Sequence, residues 1–198
     1  MNFKVAFVSA ALGIIASVPA MSQEAGWYLG GALGRAEARQ GCEGVTVSCD
    51  DTDTGWKIFG GYQINRNFGV ELGYADFGEN TASGVISGVA VNATAEMTAW
   101  DLVGVASIPF GGRFAAYGKL GFYRGDVEVR ATASVPGFSA TAQADDQNTD
   151  VTFGFGLKFD ISRNLALRGE WQRYNDVGGS DTGESDIDLL SIGLLYRF

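Results

Sequence analysis

The sequence predicts an all-β fold: an eight-stranded, antiparallel, up-and-down transmembrane β-barrel. Three observations predict it. Eight segments alternate apolar with small or polar residues at a period of two, charged residues recur on the polar side of those segments, and the connections between them alternate between short and long. An apolar outer face against lipid and a polar interior produce this pattern in a closed sheet.

The beginning of the chain has the layout of a secretory signal peptide. Lys4 precedes an apolar run over residues 5–18, and Ala20 supplies the small residue of a cleavage site. The run is shorter than the roughly 20 apolar residues that a membrane-spanning helix needs. We therefore expect residues 1–22 to be removed, with the cut position open by a few residues, and residues 23–198 to form one barrel domain.

The composition favours β-structure and disfavours one class of partner. The chain has 29 glycines, 24 aromatic residues and three prolines, which suits strands that approach one another closely. Its formal net charge is −9, and loss of Lys4 with the signal takes it to about −10. An acidic domain repels phosphate backbones, so we expect no nucleic-acid partner.

The predicted strands follow one another along the domain. The first, about Gly26–Arg35, is glycine-rich and alternates weakly, whereas the later ones separate an apolar face from a small or charged face. The predicted lipid-facing residues of the next four strands are Trp56, Ile58, Gly60, Tyr62, Phe68, Val70, Leu72, Tyr74, Trp100, Leu102, Ala106, Ile108, Phe114, Ala116, Leu120 and Phe122.

The last three predicted strands include the clearest alternation, in residues 151–160. The apolar residues of that strand are Val151, Phe153, Phe155, Leu157 and Phe159. The lipid-facing residues predicted for the two strands after it are Leu165, Leu167, Trp171, Leu190, Ile192, Leu194, Tyr196 and Phe198. Such an apolar face requires either lipid or a second sheet packed against it.

Charged residues on the opposite face argue for a barrel over a soluble β-sandwich, which would alternate too. The predicted interior charge network consists of Lys57, Glu71, Asp101, Lys119, Lys158, Arg168, Glu170 and Arg197. Opposite charges can pair inside a closed sheet, whereas Lys or Arg facing lipid at mid-bilayer costs about 2–4 kcal/mol. Closure also removes the unpaired strand edges that hydrocarbon does not tolerate.

The connections alternate in length. Three are short and rich in turn-forming residues, at 64–67, 109–112 and 161–164. Four are long and rich in Gly, Ser, Thr, Asp and Ala, and we predict loops at 37–52, 78–93, 125–148 and 175–185. Aromatic residues near the strand ends predict two interfacial bands, with Trp27 and Tyr62 at one rim and Trp56, Trp100 and Tyr174 at the other.

Two cysteines, Cys42 and Cys49, lie in a Gly- and Asp-rich segment. In an exported protein we expect them to form a disulfide that closes this loop. Half of a metal site is the alternative. Structural zinc sites usually have four Cys or His ligands, however, and this chain has no histidine. We predict no metal and no cofactor.

Three passages resemble the small OmpA-like outer-membrane barrels, which share their architecture with OmpX-like and Ail-type adhesin barrels: residues 26–31, 60–74 and 190–198. The resemblance implies an outer-membrane location, periplasmic short turns, extracellular long loops, and contact with outer-membrane lipid and lipopolysaccharide. It also implies that the barrel-assembly machinery reads a C-terminal signal formed by Ile192, Leu194, Tyr196 and Phe198. We recognise no second, periplasmic domain, so the peptidoglycan binding of full-length relatives is not carried over.

The expected function is a non-enzymatic barrel that contributes to envelope integrity and displays surface loops. The alternative is an adhesin or ligand-binding protein that binds an external partner through acidic loops. The acidic loop residues are Glu43, Asp50, Asp51, Asp126, Glu128, Asp145, Asp146, Asp181 and Glu184. A small-ion channel is a third reading. Catalysis is not expected, because the enzymes among small barrels look to a histidine as general base.

Overall fold

The structure is a computed structural model that describes residues 25–38, 48–50, 52–86, 89–135, 138–179 and 183–198. The predicted signal peptide lies outside the described residues, and so does Cys42. The predicted disulfide with Cys49 therefore stays a prediction. Within the described ranges, no helix is long and apolar enough to cross a membrane.

Nine β-strands account for nearly all of the described residues. They are β1 (Gly26–Ala38), β2 (Ser48–Asp50), β3 (Thr52–Gln63), β4 (Phe68–Ile86), β5 (Val89–Phe110), β6 (Phe114–Val135), β7 (Phe138–Asp160), β8 (Leu165–Gly179) and β9 (Gly183–Arg197).

Eight of these strands close into a ring. Each pairs antiparallel with its neighbours in the order β4-β3-β1-β9-β8-β7-β6-β5, and β5 pairs with β4 again. The first and last strands therefore meet, for example at Leu33 opposite Ile192. The short strand β2 is not part of the ring. It pairs with the C-terminal part of β4, where Cys49 is opposite Ala82. The predicted eight-stranded antiparallel barrel is confirmed.

The side chains alternate between the two surfaces of the ring as predicted. On β7, Phe155 is 62% exposed and Leu157 is 57% exposed, while Thr152 on the opposite face of the strand is fully buried. On β3, Ile58 is 52% exposed and its neighbour Lys57 is 2% exposed. The outer surface is thus apolar and the interior holds the polar side chains, which is the inverse of a soluble protein.

The three short connections are tight turns at one end of the ring, which we call the turn end. In the first, the Asn65 side chain accepts hydrogen bonds from the amides of Asn67 and Phe68, each at 2.9 Å. In the second, Gly111 and Gly112 have φ angles of +58° and +79°, which favour glycine. These turns hold neighbouring strands in register.

The segments predicted as long loops differ from expectation at 78–93 and 125–148, where the chain continues as strand. Strands β4 to β7 are 19, 22, 22 and 23 residues long, whereas a tilted strand needs about 9–11 residues to cross a bilayer. Their outer parts pair with one another, from Ile86 opposite Val89 to Val135 opposite Phe138. We call this four-stranded projection beyond the ring the outer sheet.

The physical reason is the residue composition of these segments. Val and Thr alternate with Ala along them, and β-branched residues favour strands. Pairing also provides partners for the backbone groups, which a loop would leave to water. The other two predicted loops are shorter than expected. At 175–185, β8 extends to Gly179 and β9 begins at Gly183, and at 37–52, β2 occupies Ser48–Asp50.

A β-bulge between Asp76 and Glu79 marks the place where β4 leaves the ring for the outer sheet. Gly78 in this bulge has a φ of +77°. The amides of Glu79 and Thr54 donate hydrogen bonds of 2.8 Å and 2.6 Å to the Asp53 carboxylate. These two hydrogen bonds lower the pKa of Asp53.

Aromatic side chains lie near both rims of the ring. Tyr74 packs between Trp56 and Trp100, with ring centroids 5.6 Å and 4.9 Å apart, and Trp27 packs on Tyr62 at the turn end. The prediction that Tyr174 belongs to the aromatic band of Trp56 and Trp100 is wrong. It is fully buried inside the ring, because it shares its face of β8 with Arg168 and Glu170.

The assignment of faces predicts different effects for two arginine substitutions in β7. Leu157→Arg places a cation in lipid and should impair assembly by about 2–4 kcal/mol, whereas Asp145→Arg changes an exposed residue of the outer sheet. The measurement is the fraction of folded chain in lipid vesicles, read from the gel mobility of unboiled samples. Equal folded fractions for the two variants would contradict the assignment.

Candidate functional site: the charged interior of the barrel

Six of the eight predicted interior charges meet near the middle of the ring. They are three cations and three carboxylates, and each is at most 7% exposed: Lys57, Lys119, Arg168, Glu71, Asp101 and Glu170. They come from β3, β4, β5, β6 and β8, so ring closure brings together residues that are far apart in the sequence. The formal charges of the six sum to zero.

Four of the six form a closed circuit of ion pairs. Glu71 lies 2.7 Å from the Arg168 guanidinium and 2.6 Å from the Lys119 ammonium. Glu170 lies 2.6 Å from Arg168 and 2.8 Å from Lys119. Each charge therefore has two partners of opposite sign, which offsets the loss of hydration that burial imposes.

Aromatic rings hold Arg168 in place. Its guanidinium carbon lies 4.3 Å from the centroid of Phe59 and 4.6 Å from that of Tyr117, so the planar group is packed against two rings. The Tyr117 hydroxyl donates a 2.8 Å hydrogen bond to Glu170, and the Tyr28 hydroxyl donates one of 2.9 Å to Glu71.

A second group lies farther from the turn end. The Lys57 ammonium is 2.6 Å from Asp101 and donates a 2.6 Å hydrogen bond to the Gln172 side chain. The Tyr174 hydroxyl donates a 2.8 Å hydrogen bond to Asp101. Lys57 also lies 3.9 Å from Glu170, which joins this group to the first circuit.

Glycines on neighbouring strands make room for the large interior side chains. A Cβ atom on Gly73 would lie 2.6 Å from an Asp101 oxygen and 2.8 Å from the Lys57 side chain. A Cβ atom on Gly61 would lie 2.4 Å from the Tyr28 ring. All three distances are far below van der Waals contact, so a larger residue at either position would displace these interior side chains.

The other two predicted network members lie apart from the six. Arg197 is 2.5 Å from Asp160, near the turn end. Lys158 faces the interior opposite Arg168, but it forms no ion pair with a described residue. Alternation predicted the face of both residues correctly, whereas their level along the barrel axis depends on the stagger of the strands.

An apolar cluster closes the interior on the side away from the turn end. Phe77 packs edge-on against Tyr174 with a centroid distance of 4.9 Å, and Tyr123 packs on the same ring at 5.3 Å. Val177 and Leu189, each 1% exposed, join them. The charge network therefore lies beneath a layer of buried apolar side chains.

Sequence reasoning missed the neutral members of the network. Tyr28, Tyr117, Gln172 and Tyr174 each hydrogen-bond to at least one of the charged residues. The alternation could have identified them, because it places all four on the inward face of their strands. Among the described residues, no group of three or more His, Cys, Asp or Glu side chains could hold a metal ion.

The residues predicted as the assembly signal all face outward, three of them on β9 and Phe198 directly after it. Ile192, Leu194, Tyr196 and Phe198 are between 49% and 78% exposed. They form one apolar row, and Tyr196 packs edge-on against Phe198. Their recognition by assembly machinery stays a prediction.

Breaking the circuit should destabilise the barrel far more than breaking a surface ion pair. Glu71→Gln leaves two buried cations without their shared partner and should cost about 3–5 kcal/mol. Glu128→Gln is the matched control, because it removes an exposed pair with Arg130 (2.6 Å) and should cost about 1 kcal/mol or less. Urea unfolding in lipid vesicles measures both, and equal midpoints would contradict a structural role for the circuit.

The chain matches known proteins along its length. The family model for the OmpA-like transmembrane domain matches residues 22–198. Outer membrane protein A of Yersinia pseudotuberculosis is 29% identical over 202 residues, which cover 98% of this chain and 54% of that protein. The chain thus spans about half the length of the curated relatives it matches.

Solved structures show the same fold. The outer membrane protein OprG of Pseudomonas aeruginosa superposes with a TM-score of 0.56 at 16% identity, covering 87% of this chain and 96% of OprG. Ail, the attachment invasion locus protein of Yersinia pestis, gives a TM-score of 0.52 at 18% identity, with coverages of 88% and 97%. The chain belongs to the family of OmpA-like transmembrane domains and is a β-barrel of the bacterial outer membrane.

Proposed function

We propose that this chain is a non-enzymatic barrel that contributes to the integrity of the outer membrane. The observation that carries the proposal is the closed interior: six buried charges neutralise one another beneath an apolar layer. Such an interior stabilises the wall of the barrel and leaves no wide aqueous passage, as is typical of eight strands. The barrel then acts through its presence in the membrane.

The same interior favours this role over ion conduction, and the composition of the chain favours it over catalysis. Ion conduction requires ion pairs such as Lys119–Glu71, at 2.6 Å, to separate. The enzymes among small barrels look to a histidine as general base, and the whole chain lacks histidine. The relatives named outer membrane protein A agree with a role in the envelope.

The proposal includes three partners. The apolar outer surface contacts lipid, lipopolysaccharide surrounds the outer rim, and the barrel-assembly machinery reads the outward row of the last strand. The support for the third is that row itself, which ends in Phe198 at 78% exposure.

A second candidate function is binding of a basic partner at the cell surface, and the outer sheet favours it. Glu79, Glu96, Glu128 and Asp145 are directly opposite one another across four strands. Adjacent like charges destabilise a sheet, and a cationic partner would relieve that repulsion. The structural neighbour Ail bears the name attachment invasion locus protein.

One genetic experiment separates the two functions. Deletion of the gene should lower survival in bile salts, since a weakened envelope admits detergents, and the full chain should restore survival. A shortened chain should restore it equally, if residues 128–145 are removed and Val127 is joined to its partner Asp146 through an Asn-Gly turn. This deletion takes Glu128 and Asp145 out of the acidic row.

Unchanged survival of the deletion strain would contradict the envelope role. The second function is read from binding of a lysine-rich peptide to the purified chains in lipid nanodiscs. Weaker binding by the shortened chain supports a surface role for the outer sheet, and equal binding by both chains contradicts it. Gel mobility of unboiled samples shows that the shortened chain is folded.

A further inference from the structure

A small cavity lies inside the barrel between the charge network and the turn end. Its volume is about 20 Å³, and a cavity of this kind needs about 10–15 Å³ to hold one water molecule. Lys158, Arg168, Arg197 and Ser107 contribute to its wall. A wider cleft at the turn end shares Tyr28, Gln63 and Arg197 with the cavity, so the two are neighbours.

The positive charge around this cavity exceeds the negative charge. Between the level of Lys57 and the turn end, four carboxylates form the described ion pairs of the interior: Glu71, Asp101, Asp160 and Glu170. The inward cations at these levels are five: Lys57, Lys119, Lys158, Arg168 and Arg197. One cation is therefore in excess, and it is Lys158. This residue has no ion pair or hydrogen bond with any described side chain.

Lys158 also faces another cation. It is directly opposite Arg168 on the neighbouring strand, and like charges at such positions destabilise a sheet. Arg168 directs its own donors toward Glu71 and Glu170. No described carboxylate forms an ion pair with Lys158, so an anion from outside the chain would compensate the ammonium in its half-buried position.

A second donor lines the same cavity. Ser107 is 8% exposed, and its hydroxyl donates to no acceptor among the described residues, while its backbone amide and carbonyl are engaged with Asn67. Two hydrogen-bond donors, one of them charged, thus line one small space near Arg168 and Arg197.

We propose that the cavity binds one small monovalent anion of the halide class. The anion accepts hydrogen bonds from the Lys158 ammonium and the Ser107 hydroxyl, and it neutralises the excess interior charge. The volume of about 20 Å³ selects against phosphate esters and organic acids. The Glu71 carboxylate in the wall repels a dianion twice as strongly as a monovalent anion at the same distance, which favours the monovalent ion.

The site exchanges its anion through the turn end. The apolar cluster of Phe77, Tyr123 and Tyr174 closes the other direction. The cleft that shares Tyr28, Gln63 and Arg197 with the cavity lies on the open side. Access is therefore from the periplasmic side, if the short turns face the periplasm as in other outer-membrane barrels.

Bromide is the probe that tests the site, because its anomalous scattering identifies it in a crystal. The full chain is crystallised from detergent and soaked in sodium bromide. We expect an anomalous peak within hydrogen-bonding distance of Lys158 Nζ and Ser107 Oγ. The peak should be much weaker in Lys158→Met, because a hydrogen bond from a charged donor changes affinity by about tenfold or more. Absence of the peak from the unmodified chain overturns the proposal.

Urea unfolding in lipid vesicles tests the same site in solution. The midpoint should be higher in sodium chloride than in sodium gluconate at equal ionic strength, because chloride fits the cavity and gluconate does not. The difference should disappear in Lys158→Met, shrink in Ser107→Ala and persist in Arg130→Met, a matched change at an exposed cation. Equal midpoints in both salts for the unmodified chain, or an undiminished difference in both cavity variants, overturn the proposal. Ser107→Ala keeps the test decisive if Lys158→Met does not fold.

Discussion

Backbone hydrogen bonding in hydrocarbon is the constraint on which this structure depends. Lipid offers no partner to an amide or a carbonyl group, so each one in the membrane must find a partner in the chain. The eight-stranded ring provides these partners because β1 pairs with β9, the strand at the opposite end of the sequence. A sheet with open edges would leave two rows of polar groups in lipid.

Closure of the ring determines where the charges go. Alternate residues of each strand must face lipid, so the other half must fill an interior too narrow for bulk water. Phe59, Tyr117 and Arg168 fill it by packing, and Glu71 and Lys119 fill it by pairing. The proposed anion completes this arrangement, since Lys158 is the one interior cation at these levels that forms no ion pair with a described residue.

Much of this architecture could be predicted from the sequence, because alternation at a period of two assigns each side chain to a face. Val151 to Asp160 and the C-terminal row were assigned in this way. Alternation says nothing of axial level, so the separation of Arg197 and Lys158 from the other charges could not be predicted. The loop predicted at 125–148 was wrong, because it was inferred from the content of Gly, Ser, Thr and Ala although the chain forms paired strands there.

The most direct test of the account is amide hydrogen exchange of the folded chain in detergent, followed by NMR for the strands β1 and β9. If the ring is closed, the amides of Leu33 and Ile192 are paired within the sheet and exchange as slowly as those of β5 and β6. If the sheet is open, β1 and β9 are its edges, and their outward amides exchange within minutes while those of β5 and β6 stay protected. That second result would contradict the closed barrel and the interior that depends on it.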